Sequence, residues 1–486
     1  MNLMGLQGGL YRPLTQDQIK TIHNSALKIL ERTGMAYEKG LESTAKMLKA
    51  KGALIDETKQ IIKFPKELVL EQIAKAPKKV VLYGQKPKND LILTEDRVYM
   101  GTGGSAVKIL DQITGDARST TLKDLYNIAK LVDQLDNIHF LHRPCIPTDL
   151  DKDDYDINTY YACLSGTSKH VMSGVNDEKG LHDVIEMASI IANGIDKLID
   201  KPFFSVTACF AISPLKLCTQ SVLIMQEANR NNIPVALSSA PMAGSTSPLT
   251  MAGTLALLHA EELAGITICQ ITKNGAPLLY GGIPGMANLN TMGYLGGAVE
   301  CGMMNAAIHQ MARFINIPNY NSAGLTDSKI PDIQAGYEKA FTCLLASMGG
   351  SNYIHHSAGM LESMLAIAYE QYIIDDEIIG NCCKILKGID VDEEHLSLDV
   401  IDSIGPGGNY ILAEHTMDYL RKEYFFGNGV SDKNIRERWE KKGGLDARQR
   451  ARQIANQMLA NQKPSHLSCE IDSKIRKRFK IKNHTK

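Results

Sequence analysis

Eight short apolar runs recur between residues 97 and 357 of this 486-residue chain, each followed by a segment long enough for an amphipathic helix. They are Arg97–Thr102, Ile138–Arg143, Ser168–Gly174, Phe203–Cys209, Ile233–Ala240, Pro277–Gly282, Asn319–Gly324 and Asn352–Ser357. Strands that alternate with helices in this way pair in parallel through right-handed crossovers, and a count of eight favours closure of the sheet. The expected fold is therefore α/β, a (β/α)8 TIM barrel over 96–378. Ahead of it, residues 1–95 read as an N-terminal helical segment packed on the barrel. Thr15 caps a helix running through Leu30, and Pro65 opens another at the first turn, where its missing N–H does no harm. After Glu362–Glu377 the strand pattern stops. Residues 379–486 read as a C-terminal helical extension, with Gly405-Pro406-Gly407-Gly408 as a turn.

Composition narrows the partners. A formal net charge of −1 excludes a general electrostatic attraction to nucleic acid or anionic lipid. The start of the chain lacks a basic stretch followed by an apolar run, and no stretch reaches the roughly 18 apolar residues that span a bilayer, so a cytoplasmic location without membrane contact is expected. The 10 cysteines are scattered with no C-x-x-C pair, which fits reduced thiols, and Cys382-Cys383 read as packing residues. The basic tail from Lys474 to Lys482 reads as a solvated end.

In a parallel barrel, ligands meet the carboxyl ends of the strands and the loops that follow. Side chains on a strand alternate sides, so apolar Phe204 and Val206 facing outward put Ser205, Thr207 and Cys209 inside. The same parity puts Phe140 and His142 inside opposite Leu141, and Tyr353, His355 and Ser357 inside opposite Ile354, while fraying at the strand end keeps His356 a candidate. No resident metal is expected: His139 and His142 face opposite sides, and neither H-E-x-x-H nor a cysteine pair occurs. No G-x-S-x-G elbow is present, and Lys329, the nearest lysine for a Schiff base, reads as a loop residue. Gly101-Thr102-Gly103-Gly104 lacks the full phosphate-binding fingerprint and reads as a strand end turning beside a ligand.

The segment Tyr320-Asn321-Ser322-Ala323-Gly324-Leu325-Thr326-Asp327-Ser328-Lys329, continuing to Gly336, resembles the strand and loop of the trimethylamine methyltransferase (MttB-like) family. Gly101–Gly104, Ser239–Pro248 with Ala252–Thr254, Ala358–Glu362 and Glu414-His415-Thr416 with Trp439 carry the resemblance over most of the chain. Some members hold pyrrolysine at the position that Leu325 matches here, so the resemblance is to non-pyrrolysine members such as the glycine betaine methyltransferases. It implies the TIM barrel and transfer of a methyl group from an amine to cobalt(I) of a corrinoid. A quaternary ammonium already carries the charge that lets it leave as a neutral amine, so Leu325 then needs no electrophilic replacement and no catalytic acid or base is expected.

What remains is to hold a cation, the task of aromatic faces, for which Tyr99, Tyr280 and Tyr353 are candidates. A betaine's carboxylate would meet His142, Arg143, His355 or His356, with His355 foremost. The corrinoid-carrying proteins of such systems have a D-x-H-x-x-G signature that this chain lacks, since Asp392-Glu-Glu-His395 has the wrong spacing. The corrinoid should accordingly belong to a partner protein docking over the barrel mouth, with no cofactor bound by this chain. Self-association is expected, as relatives tend to form homo-oligomers. Rival readings are a methyltransferase for a tertiary or secondary amine or another methylated compound, a TIM-barrel lyase or aldolase, and a non-catalytic betaine-binding protein.

Overall fold

A computed structural model describes residues 5–461 and 465–483, so the outermost residues of both expected flanking segments lie outside the described residues. Each of the eight apolar runs holds a barrel strand: β1 (Arg97–Thr102), β2 (Leu141–His142), β3 (Val171–Ser173), β4 (Phe204–Ala208), β5 (Val235–Leu237), β6 (Leu278–Gly282), β7 (Asn319–Ser322) and β8 (Tyr353–Ala358). From β2 to β8 every neighbour pairs in parallel in chain order, and β8 pairs in parallel with β1. The ring closes where His139 N–H donates to Met100 O at 2.8 Å and Thr102 Oγ1 donates to His142 O at 2.6 Å.

Eight helices follow the strands: α1 (Leu122–Asp133), α2 (Tyr155–Gly166), α3 (Glu178–Ala192), α4 (Thr219–Arg230), α5 (Met251–Thr272), α6 (Val299–Ile315), α7 (Ile333–Gly349) and α8 (Tyr369–Lys387). Several begin at caps legible in the sequence: Thr121 forms a capping box with Asp124 on α1, and Asp177 and Asp332 accept N–H bonds at the starts of α3 and α7. Helix α8 continues to Lys387, so the expected boundary at 378/379 falls inside a helix.

The N-terminal segment carries the helices Gln16–Arg32, Glu42–Lys49 and Lys66–Lys75, the first with the expected Thr15 capping box. It also holds short strands that a purely helical reading does not anticipate. Val80–Leu82 and Leu91–Leu93 form an antiparallel hairpin whose apolar side chains join Tyr99, Phe140, Met172, Ala236, Leu279, Tyr320 and Tyr353 in one buried cluster. Those seven residues face the barrel interior from their strands, so the hairpin is the floor of the barrel. Val81 and Ile92, on its other side, are half-buried and also apolar, so runs of three apolar residues show no period in the sequence. Beyond α8, the helix Ala447–Ala460 packs against α8 and α1, and Cys469–Arg478 packs against α3. Among the described residues no helix is long and apolar enough to cross a membrane.

Candidate functional site

Strand β8 organises the site. Its register with β1 slips between Ile354 and Ala358, and His356 sits there with φ +66°, a left-handed conformation uncommon outside glycine. The bulge turns two consecutive side chains to the same end of the barrel, and the rings of His355 and His356 lie 3.7 Å apart. Past it the parity is reversed: Ser357, expected inside, faces Cys343 of α7. Glycine is required opposite: a Cβ on Gly103 would lie 2.8 Å from His355 Nδ1 and 3.0 Å from the His356 backbone nitrogen. The Gly101–Gly104 run thus lets β1 close against the histidine pair.

Around this pair the barrel builds a stack of rings. Tyr320 lies 4.3 Å from His355 and nearly parallel to it, His142 lies 5.1 Å away on the same ring, and Tyr353 stacks on Phe140 at 3.6 Å. Thr207 Oγ1 pairs with His142 Nε2 at 3.1 Å, and Ser322 Oγ with His356 Nδ1 at 2.8 Å. Cys209 is exposed at the mouth. Several buried polar atoms lack a hydrogen-bond partner among the described residues: both ring nitrogens of His355, His142 Nδ1, Arg143 Nε and the Tyr353 hydroxyl. An unmet buried polar group costs about 1–3 kcal/mol, so this concentration makes the place a candidate ligand site.

His142, Tyr353, His355 and His356 are thus brought together as expected, with Arg143 next to His142 and coupled to it electrostatically. Tyr280 is a correction. It lies on the outer side of β6, where its hydroxyl pairs with His259 Nδ1 at 2.8 Å and His259 in turn meets His23 at 2.9 Å. The run Leu278-Leu279-Tyr280 offers no alternation from which to read its side. Tyr280→Phe should lower stability by about 1 kcal/mol through the lost hydrogen bond and leave substrate affinity unchanged, as denaturation and binding titrations would report. Tyr99 is a second correction: it faces inward but at the floor, with its hydroxyl accepting the Ile92 N–H at 3.2 Å. Its height in the barrel is set by the hairpin that closes the floor. Tyr320 is an inward residue that the sequence reading does not single out, because Asn319-Tyr320-Asn321-Ser322 holds no aliphatic side chain to fix which face turns outward.

Leu325 is buried at the end of β7, beneath Gly296, whose added Cβ would touch it at 3.0 Å. Its loop is held firmly. Lys339 Nζ donates to Gly324 O and to Met360 O, Thr326 Oγ1 donates to Glu338 at 2.6 Å, and Asp327 N–H donates to the same carboxylate at 2.8 Å. Lys339 and Asp375, both fully buried, form an ion pair at 3.2 Å behind this loop, and Asp375 also accepts the Gly359 N–H at 2.7 Å. Lys329 is exposed, its ammonium on Asp327 O.

Burial keeps the histidines neutral. His356 is pushed down to about 3 by burial and then by the charge of Lys339; His142 and His355 are held well below the usual range by burial first and by the neighbouring His356 next. Burial likewise lowers His139 and His170 to about 4. The unfolded chain, with histidines at 6.5, therefore binds protons that the folded chain refuses. Their contribution to stability is complete above pH 6.5 and is lost as pH falls toward those lower values. Urea denaturation at pH 5 should show a loss on the order of 1–2 kcal/mol per such histidine relative to pH 7.5.

Fold and geometry together define a (β/α)8-barrel protein with a candidate small-ligand site at the carboxyl ends of its strands. A family model described as Trimethylamine methyltransferase (MTTB) matches residues 6–485, and the chain belongs to that methyltransferase family. It is 35% identical over 462 residues to Trimethylamine methyltransferase MttB of Desulfitobacterium hafniense (strain DSM 10664 / DCB-2), covering 95% of this chain and 92% of that one. It is 32% identical over 466 residues to Glycine betaine methyltransferase of Desulfitobacterium hafniense (strain Y51), covering 96% of each. Among solved structures, the Methanosarcina barkeri monomethylamine methyltransferase (MtmB) superposes with a TM-score of 0.50 over 93% of this chain and 96% of that one, at 12% identity, which shows the shared barrel fold.

Proposed function

We propose that the chain demethylates a betaine-type quaternary amine (glycine betaine, proline betaine, carnitine or γ-butyrobetaine) and passes the methyl group to cobalt(I) of a corrinoid held by a partner protein. The observation that carries this reading is His355: buried, with neither ring nitrogen partnered, and flanked by the flat faces of Tyr320 and His142. Ring faces suit a methylated cation that cannot donate hydrogen bonds, each contributing roughly 0.5–2 kcal/mol. The free nitrogens of His355 and His142, with Arg143, suit a carboxylate a few atoms away.

Neutral histidines matter here. An imidazolium beside a quaternary ammonium would repel it, whereas neutral rings both stack on the cation and offer an N–H to the anion. Leu325, buried and apolar, brings no group to activate a leaving amine, which favours a substrate that needs none. The carbon–nitrogen bond breaks with its electron pair going to nitrogen, releasing a neutral tertiary amine, while the acceptor's pair forms the new bond to carbon. Positive charge disappears from the nitrogen as this happens, so a cage of weak ring contacts is better than a carboxylate partner, which would stabilise the ground state most. The protein's contribution is then aim, and holding one methyl in line with the acceptor supplies several kcal/mol of the barrier.

Leu249, Leu289, Met292 and Val299, exposed on and beside the loops that follow β5 and β6, give the mouth an apolar rim suited to a docking protein. The test is direct: with a free cobalt(I) corrinoid and each of the four betaines, the purified chain should form methylated corrinoid, visible in its absorption spectrum, with at least one of them. Turnover of free methylamines and of none of the betaines would reject this proposal in favour of a tertiary- or secondary-amine enzyme.

A further inference from the structure

The chain leaves the barrel where α8 ends, at the face opposite the mouth, and is tied back to it by Phe425, which lies against Gly380 of α8, and by Asn428 and Val430, whose N–H groups donate to Ile373 O at 2.7 Å and to Glu377 at 3.2 Å. Between them residues 389–426 form an arm. Its helices Glu393–Leu396, Leu398–Ile404 and Glu414–Glu423 hold chiefly to one another: Ser397 Oγ pairs with His415 Nε2 at 2.7 Å, Tyr419 bonds Glu394, and His415 stacks on Tyr419 at 4.5 Å. Helices of 4, 7 and 10 residues are too short to persist without packing. Yet the arm turns its apolar side chains outward, with Leu412 94% exposed and Ile389 89%, joined by Ile411, Met417 and Leu398. A groove of about 620 Å³ lined by Leu420, Arg421, Tyr424, Phe425 and Phe426 continues the patch at its base. Large exposed apolar side chains concentrated on one short segment mark a candidate interaction surface.

Charge indicates what covers it. Residues 389–426 hold nine acidic side chains and two basic ones, while Lys433–Lys442, immediately after, holds five basic and two acidic. Among the described residues, the arm's ion pairs reach Lys384 and Lys387 of α8 and none reaches that basic stretch, where Arg438, Lys441 and Lys442 stand exposed beside the exposed Ile435. One chain thus displays an acidic apolar surface and, next to it in sequence, a basic stretch that exposes Ile435, an arrangement that can be self-complementary about a two-fold axis. A methyl acceptor must reach the mouth, so it has no use for a surface at the other end.

We propose that the arm 389–426 is an interface with a second copy of this chain, each arm lying against the other copy's Lys433–Lys442 stretch. In sedimentation velocity at micromolar concentration the full chain should travel as a dimer or a larger closed assembly. Ile411→Asp with Leu412→Asp should reduce it to the 53.4 kDa single chain, with the thermal melt of the barrel retained. Lys441→Glu with Lys442→Glu should weaken association roughly tenfold or more, and adding Asp399→Lys with Asp402→Lys to the same chain should restore it, an outcome that misfolding cannot mimic. A wild-type chain that sediments singly, or an assembly indifferent to both sets of changes, overturns the proposal. So does an unchanged mass accompanied by lost binding of a corrinoid-carrying protein, which would give the arm to that partner.

Discussion

His355→Ala should weaken binding of a betaine roughly 10- to 100-fold, about 1.5–3 kcal/mol, while tetramethylammonium loses no more than a few-fold. The difference follows from geometry. His355 has two buried, unpartnered nitrogens suited to a ligand with acceptor oxygens, whereas in this proposal several rings share the holding of the cation. Calorimetric titration of both ligands against both proteins measures it. Equal losses for the two ligands would remove the carboxylate role and leave His355 as one more ring in the cage. The substitution also deletes a ring from a stack, so the variant's melting temperature has to be read alongside the affinities.

Breaking the Lys339–Asp375 pair should have the largest effect on stability. Both side chains are fully buried at 3.2 Å, and removing one partner of such a pair costs about 3–5 kcal/mol because the other charge is left without compensation. Burial outweighs the pull of Lys339 and holds the Asp375 carboxyl up at about 6, so the carboxylate is ionised at neutral pH but at some cost. Lys339→Met and Asp375→Ala should each lower the urea midpoint, and Lys339→Met with Asp375→Leu should recover part of the loss, since no orphaned charge remains. Single variants within about 1 kcal/mol of the parent would sink this account. Because Lys339 holds Gly324 O and Met360 O, the variants should also loosen the loop that carries Leu325 and slow methyl transfer.

Much of the candidate site is legible in the sequence. Phe140, His142, Tyr353 and His355 share an interior because parity along a strand is a local property, fixed by a period of two. Parity fails where the backbone departs from regular pleating. The bulge at His356 adds an inward histidine and sends Ser357 out, and nothing in the residues Ile354-His355-His356-Ser357 announces it. Tyr99 and Tyr280 show two other limits: one is on the right side at the wrong height, and the other lies on the wrong side of a strand without alternation. Lys339 and Asp375 sit in helices, at positions where sequence alone suggests a solvated face.

The order of the chain, eight apolar runs separated by helix-length segments, determined the barrel, since short parallel strands with right-handed crossovers have few other ways to close. It also determined which faces of β2 and of β8 up to its bulge turn inward. Height along the barrel axis, the floor hairpin, the bulge and the buried ion pair were decided only by the tertiary structure. Those features depend on strand stagger and on segments brought together from distant parts of the chain, and no local period records them.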